Sequence, residues 1–125
     1  MFNSLLIFFG AGLGGLFRYW VSSGVYWVLG RQFPYGTLVV NSTGCFLMGL
    51  LFTLILERFN GIGQLLRPLL LLGFLGGYTT FSSFSIETLS LYENGDWFGA
   101  SLNILLSILM CILLTWLGMV LGRQL

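Results

Sequence analysis

Apolar residues dominate four long segments of this chain, and short runs of polar or turn-forming residues separate them. The segments cover approximately residues 4–29, 35–56, 65–92 and 97–121. Each is long enough for a helix that crosses a membrane, which needs about 20 mostly apolar residues. Because the connections are short, consecutive segments are predicted to run antiparallel. The pattern therefore predicts an all-α membrane protein that consists of one four-helix transmembrane domain over residues 1–125.

Composition supports this interpretation and argues against enzymatic chemistry. Hydrophobic residues make up 57% of the chain and charged residues 7%, and the mean hydropathy is +0.95. The chain has no histidine and its four carboxylates are scattered, so no metal cluster or nucleophile–base pair is indicated. A net charge of +1 does not favour nucleic acid as a partner. Cys45 and Cys111 fall within the second and fourth segments, where we interpret each as a small packing residue.

The first segment and the arginines give a weak indication of orientation. The N-terminus has no basic region and its apolar run exceeds a signal-peptide core, so we interpret it as a retained span. If the N-terminus is cytoplasmic, Arg58, Arg67 and Arg123 lie on that side and Arg31 lies opposite. The small excess of arginines on that side weakly favours an orientation with the N-terminus in the cytoplasm. Insertion in both orientations is the alternative.

The third segment carries a glycine- and hydroxyl-rich stretch that a lipid-facing helix does not need. Two adjacent glycines, Gly76 and Gly77, each cost about 1 kcal/mol relative to alanine in a helix. The pattern predicts a break near the middle of this span, with Thr79 and Thr80 as candidate caps of the following half-helix. Carbonyl groups freed by a break suit a cation, and the N-terminus of the next half-helix suits an anion. A glycine packing notch in an unbroken helix is the alternative.

Phe81 and Phe84 lie three residues apart, so they share one helix face. Hydroxyl side chains surround both rings in the sequence. Phenyl rings favour an anion at their edges and a cation over their faces. The pair therefore indicates an ion site if the rings are accessible, and ordinary packing if they are not.

Polar residues within the other segments add candidate ligands. The two N–H donors of Asn41 could replace the hydration shell of a small anion, and an interhelical hydrogen bond, worth about 0.6–2 kcal/mol, is the alternative. A cation as deep as Arg18 costs about 2.5–3.5 kcal/mol, so Arg18 is expected to face water, protein or an anion. Glu87 is a candidate partner for Arg18, and a position at the membrane interface, where the third segment ends, is the alternative for Glu87. Asn103 and Ser107 share a face and form either a polar track or bonds to backbone carbonyls.

Three motifs resemble those of the bacterial CrcB/Fluc fluoride ion channels, and the resemblance covers all four segments. They are Gly12-x-Gly14-Gly15-x-x-Arg18-Tyr19, then Gly36-Thr37-Leu38-Val39-Val40-Asn41-Ser42-Thr43-Gly44, and then Gly73-Phe74-x-Gly76-Gly77-x-Thr79-Thr80-Phe81-Ser82-Ser83-Phe84-Ser85. Many members of this family carry threonine at the position of Ser83. The order and spacing of the three motifs make the resemblance specific.

The resemblance implies a passive, selective fluoride channel in the bacterial cytoplasmic membrane, which exports fluoride and so lowers its toxicity. It implies an antiparallel, dual-topology homodimer in membrane lipid, with two pores at the interface and a structural sodium ion at the dimer centre. The residues it assigns to the fluoride pore are Asn41, Thr80, Phe81, Ser82, Phe84 and Ser107. It places Arg18 in an aqueous vestibule and the backbone carbonyls of Gly76 and Thr79 on the sodium ion.

Two other functions compete with a channel. A proton-coupled exporter of the small multidrug-resistance kind also has four short spans, but it needs a carboxylate in the first span, where this chain has Arg18. A non-transporting assembly subunit would explain the glycines. It would not explain the polar surroundings of Asn41, Phe81 and Phe84.

Overall fold

A computed structural model describes residues 1–59 and 61–125, and all regular structure in these residues is helical. Four helices are long and apolar enough to cross a membrane, as the hydrophobic pattern predicts. Three of them are continuous: α1 (Phe2–Leu29), α2 (Tyr35–Glu57) and α6 (Trp97–Gln124). The remaining span is a succession of shorter elements: α3 (Gly63–Leu66), a π-helical segment (Arg67–Leu75), α4 (Gly76–Tyr78) and α5 (Phe81–Glu93).

Local chemistry explains where several helices begin and end. Gly30, which follows α1, has a φ of 86°, and its N–H donates to the Tyr26 carbonyl at 2.8 Å. Gly95 has a φ of 85° between α5 and α6. Glycine adopts this left-handed conformation without a steric penalty. The Asp96 side chain caps α6 by accepting from the Gly99 N–H at 2.8 Å.

Helices α2 and α6 form the most extensive contact of the bundle. Glycine makes this close approach possible on both helices. A methyl group at Gly49 would collide with the Thr115 carbonyl oxygen, and one at Gly118 would collide with the Phe46 carbonyl oxygen. Small residues at such contacts are typical of helices that associate within a membrane.

The π-helical segment packs against α1 and was not predicted from the sequence. At Gly14 of α1, an added methyl group would collide with the Phe74 carbonyl. The backbone hydrogen bonds of a π-helix join residues five apart, whereas those of an α-helix join residues four apart. Four consecutive leucines, residues 69–72, give this segment too little periodicity to distinguish the two registers.

The interior of the bundle is unusually polar and its surface unusually apolar. The central cluster consists of Val40, Ile55, Leu71, Leu75 and Tyr78. Buried polar side chains are as numerous as buried apolar ones and comprise Thr37, Ser42, Thr53, Thr80, Thr88, Asn103 and Ser107. Many large apolar side chains face outward instead. This distribution suits a protein surrounded by lipid, because polar groups must find partners inside the protein.

Candidate functional site

Two extended residues separate α4 from α5 in the third span. Thr79 has φ −79° and ψ 157°, and Thr80 has φ −150° and ψ 116°. The Thr80 hydroxyl accepts from the Ser83 N–H at 3.2 Å, so Thr80 is the N-cap of α5. Of the two predicted candidate caps, Thr80 is therefore the one that caps the helix. Thr79 stays bonded to the preceding turn, since its N–H donates to the Leu75 carbonyl at 3.0 Å.

Asn41 of α2 binds the backbone of this extended pair. The Thr80 N–H donates to Asn41 Oδ1 at 2.7 Å, and Asn41 Nδ2 donates to the Thr80 carbonyl at 2.9 Å. Gly44, on the next turn of α2, lets the helix approach, because a methyl group there would collide with Thr79 Cγ2. Asn41 thus makes interhelical hydrogen bonds, which is one of the two roles that the sequence suggested for it. It also lines the cavity described below, as the other role requires.

The capping and bridging bonds release two backbone carbonyls. In a continuous α-helix the Thr80 N–H would donate to the Gly76 carbonyl, and the Ser83 N–H would donate to the Thr79 carbonyl. Here the first N–H donates to Asn41 and the second donates to the Thr80 hydroxyl. Gly76 is exposed and Thr79 is half-buried. These are the two residues whose carbonyls the resemblance assigns to sodium.

A cavity of about 370 Å³ lies between α2, α5 and α6, and we refer to it as the groove. Five of the six residues that the resemblance assigns to the pore line the groove: Asn41, Thr80, Phe81, Phe84 and Ser107. The Phe81 and Phe84 rings lie 5.3 Å apart, inclined at 45°. Phe81 is 77% exposed. The groove is therefore open along the side that Phe81 occupies.

Ser82 is placed differently from the other five residues. It is exposed, and it is not among the residues that line the groove. Its hydroxyl lies 3.2 Å from that of Thr80. Each residue of a helix is turned by about 100° from the one before it. Ser82 is therefore turned away from the face that Phe81 and Phe84 share.

A second cavity, of about 360 Å³, lies beside the groove and is lined mostly by polar side chains; we refer to it as the polar cavity. Arg18 of α1 lines it, and so does Glu87 of α5. Glu87 accepts from the Tyr26 hydroxyl at 2.7 Å and from the Thr37 hydroxyl at 2.5 Å. Arg31 also lines this cavity, with its guanidinium 4.7 Å from the centre of the Tyr26 ring.

The expected pairing of Arg18 with Glu87 is not found. Among the described residues, no salt bridge joins the two side chains. Hydroxyl groups from α1 and α2 already occupy both carboxylate oxygens of Glu87. Arg18 therefore contributes its charge to the polar cavity without direct neutralisation by Glu87.

Thr80 lines both the groove and the polar cavity. Its neighbour Ser83 lines the polar cavity, and the Thr80 hydroxyl donates to the Ser83 hydroxyl at 3.1 Å. The two cavities therefore adjoin at the interruption of the third span. Hydroxyl groups and the Asn41 amide form the boundary between them.

A buried polar track extends from the groove along α5 and α6. The Ser107 hydroxyl donates to Asn103 Oδ1 at 3.4 Å, and Asn103 Nδ2 donates to the Thr88 hydroxyl at 2.8 Å. Thr88 in turn donates to the Phe84 carbonyl at 2.7 Å. Asn103 is almost fully buried, with 1% exposure. The sequence suggested either a polar track or bonds to backbone carbonyls for Asn103 and Ser107. Their side chains bond to other side chains, so the polar track is the alternative that is observed.

Three further polar residues belong to this arrangement and were not predicted from the sequence: Tyr26, Thr37 and Thr88. Each is a hydroxyl-bearing residue in an otherwise apolar span. That chemistry is a usable signal, since a hydroxyl at membrane depth needs a partner. Apart from the Phe84 carbonyl, which accepts from Thr88, the hydrogen-bond partners of these residues are distant in the sequence, so the sequence alone did not identify them.

The fold and the site together define a multi-pass membrane protein with an aromatic and hydroxyl-lined groove at an interrupted span, a construction suited to passing ions. The chain belongs to the CrcB family. Residues 5–119 match the family model described as "CrcB-like protein, Camphor Resistance (CrcB)". This match confirms the family that the three motifs indicate.

Relatives named "Fluoride-specific ion channel FluC" match nearly the whole chain. The protein from Coxiella burnetii is 63% identical over 123 residues, which cover 98% of this chain and 99% of the relative. That from Magnetococcus marinus is 51% identical over 114 residues, with 91% and 92% covered. That from Geobacter sulfurreducens is 50% identical over 117 residues, with 94% and 93% covered. The family is one of ion channels and not of enzymes, as the composition predicts.

Proposed function

We propose that this chain is the subunit of a passive fluoride channel that lets fluoride leave the bacterial cytoplasm and so lowers its toxicity. The observation that carries the proposal is the convergence of Asn41, Thr80, Phe81, Phe84 and Ser107 on one groove. The names of the relatives support fluoride as the ion.

Fluoride is small and strongly hydrated, so a route for it must supply close hydrogen-bond donors in place of water. One N–H of the Asn41 amide is bound to the Thr80 carbonyl, and the amide has a second N–H to offer an anion. The hydroxyls of Thr80 and Ser107 supply further donors when each rotates its proton from its present acceptor, Ser83 or Asn103, toward the ion. The edges of the Phe81 and Phe84 rings carry partial positive charge and supplement them. Ser82 acts through its contact with the Thr80 hydroxyl.

The polar cavity is the proposed aqueous vestibule. Two arginines, Arg18 and Arg31, and one carboxylate, Glu87, line this cavity, so its net positive charge attracts anions and raises their local concentration. Fluoride then passes Thr80, where the polar cavity meets the groove. The bond from Ser107 to Asn103, which in turn donates to Thr88, holds the Ser107 hydroxyl at the wall of the groove.

An antiparallel homodimer completes the route. The groove is open on the side of Phe81, which is 77% exposed, so a single subunit leaves the ion in contact with lipid. A second copy in the opposite orientation would cover that side and create two equivalent pores along the interface. The weak arginine bias is compatible with insertion in both orientations.

A structural sodium ion fits the carbonyls of Gly76 and Thr79. Both carbonyls are released from their usual helical donors, and carbonyl oxygens are suitable ligands for a hard cation. Gly76 is exposed, so the same residue of a second copy can contribute to one shared site at the dimer centre. The ion would hold the two interrupted spans together and take no part in conduction.

Conduction down the electrochemical gradient is sufficient for detoxification. In an acidic medium hydrogen fluoride enters a cell and ionises at the higher internal pH. A fluoride-selective conductance in the cytoplasmic membrane then releases the trapped anion. No energy-coupling residue is needed.

A liposome efflux assay tests this function. Purified protein is reconstituted in vesicles loaded with fluoride or chloride, and external ion is measured when an ionophore dissipates the membrane potential. We expect rapid fluoride release and chloride release no faster than from protein-free vesicles. Fluoride release at the protein-free rate would exclude the channel, and equal release of both ions would exclude fluoride selectivity.

A further inference from the structure

The two cysteines of the chain lie side by side across the α2–α6 contact. The Thr115 hydroxyl donates to both backbone carbonyls, at 3.2 Å for Cys45 and 2.8 Å for Cys111, so the two residues occupy facing turns of the two helices. Both cysteines line the groove and also a neighbouring cavity of about 340 Å³. The proposed route for fluoride uses neither of them.

The surroundings of the pair contain soft donors and an unsatisfied hydroxyl. Met48 lines the groove and Met119 lines the neighbouring cavity, so each cavity also has a thioether-bearing side chain in its wall. Ser42, one turn before Cys45 on α2, is 3% exposed, and its hydroxyl has no hydrogen-bond partner among the described residues. None of the described residues that line either cavity is charged.

We propose that Cys45 and Cys111 together bind one soft, thiophilic metal ion, with the mercuric ion as the best fit. Thiolate ligands select soft metals. In the binding step two S–Hg bonds form, each thiol loses its proton to solvent, and no oxidant is consumed. The product is electrically neutral, which suits a site within a membrane span, where a net charge is costly.

The number of ligands favours this ion over zinc. Zinc prefers four tetrahedral ligands, whereas the pair provides two thiolates. A mercuric ion is satisfied by two sulfur ligands in a line. Bound metal would link α2 to α6 and narrow the groove.

A retention experiment tests the site without reference to transport. Reduced protein in detergent, with two free thiols per chain confirmed by titration, is mixed with mercuric chloride, challenged with an excess of a monothiol and desalted. We expect about one mercury per chain in the wild type. Cys45→Ser and Cys111→Ser each leave one thiol, which the competing monothiol should strip of mercury. Retention by either single variant at the wild-type level, or none in the wild type, would overturn the proposal.

A second measurement tests the effect on the groove and rests on the proposed function. Mercuric ion should stop fluoride efflux from wild-type vesicles, and a dithiol should restore it. The Cys45→Ser/Cys111→Ser double variant should keep its own untreated rate when mercury is added. If mercury is retained but wild-type efflux continues, the inference of a narrowed groove is wrong. If no vesicle conducts fluoride, the proposed function fails and the retention result still decides the metal site.

Discussion

The Asn41 side chain binds the backbone of Thr80 in both directions: it accepts from the Thr80 N–H at 2.7 Å and donates to the Thr80 carbonyl at 2.9 Å. The amide therefore makes the same pair of hydrogen bonds to the extended Thr80 backbone that a residue of a neighbouring β-strand would make. This tie positions α2 against the point where the third span leaves the helical conformation. Structure and proposed conduction depend on the same side chain.

Asn41→Ala should reduce both stability and fluoride efflux. Removing the amide leaves the Thr80 N–H without its partner, and each buried unsatisfied group costs about 1–3 kcal/mol. We expect a lower melting temperature in detergent and an efflux rate reduced at least about tenfold, as 1.4 kcal/mol on a barrier would give. Asn94→Ala, at the exposed end of α5, is the matched control. Equal melting temperatures for the two variants would contradict the structural role of Asn41.

Phe81→Ile and Phe84→Ile should each slow fluoride efflux. Isoleucine keeps apolar bulk but has no ring edge with partial positive charge. Phe98→Ile is the control, because Phe98 is as exposed as Phe81, at 77%, and does not line the groove. If both groove variants conduct at the rate of Phe98→Ile, ring edges do not contribute to conduction.

Glu87→Gln should destabilise the contact among α1, α2 and α5. The carboxylate accepts from two hydroxyls, Tyr26 and Thr37, whereas the amide has one acceptor oxygen. A hydrogen bond to a charged group contributes about 1.5–3 kcal/mol. We expect a lower melting temperature than for Glu93→Gln, which changes an exposed carboxylate on the same helix. Identical melting curves would mean that the Glu87 contacts are not stabilising.

Gly44→Ala and Gly24→Ala should change stability in opposite directions. A methyl group at Gly44 would collide with Thr79 Cγ2 and would lie only 3.1 Å from the Tyr78 ring, whereas one at Gly24 meets no atom within 4 Å. At an unobstructed helical site alanine is favoured over glycine by about 0.5–1 kcal/mol. In detergent, the melting temperature of Gly44→Ala should therefore be lower than that of the wild type, and the melting temperature of Gly24→Ala should be equal to or higher than that of the wild type. A stabilised Gly44 variant would contradict the close approach of α2 to Thr79.

Labelling of the C-terminus tests dual insertion. Gln124→Cys is made in a chain in which Cys45 and Cys111 are serine, and intact inverted vesicles are treated with a membrane-impermeant maleimide. Near-balanced arginines lead us to expect about half of the copies to react. Solubilised vesicles, in which all copies should react, provide the reference. Complete reaction or complete protection in intact vesicles would establish a single orientation.

Local chemistry is the part of this fold that sequence predicts well. The four spans follow from the length of the apolar runs, and the Thr80 cap follows from a hydroxyl residue directly before a helical segment. The motifs also identified five residues that share the groove. Each of these features depends on a few neighbouring residues or on residue types at fixed spacing.

Contacts between distant segments account for what the sequence did not predict. Glu87 binds Thr37 and Tyr26, which are 50 and 61 residues away, and a candidate partner chosen by charge alone was therefore wrong. Ser82 is the exception, because its position has a local cause: it follows Phe81 on the same helix and is therefore turned by about 100° out of the groove. The two cysteines, interpreted separately, line the same two cavities, since the glycines of α2 and α6 permit close packing of the helices.

The position of Thr80 in two cavities at once has a consequence for throughput. On the proposed route an ion leaves the polar cavity and enters the groove at one residue, so the change from water to protein donors begins there and not along the whole depth of the membrane. Each transfer exchanges one set of hydrogen bonds for another. Strict selection and rapid passage can then occur at the same residue, because the ion is never far from a donor.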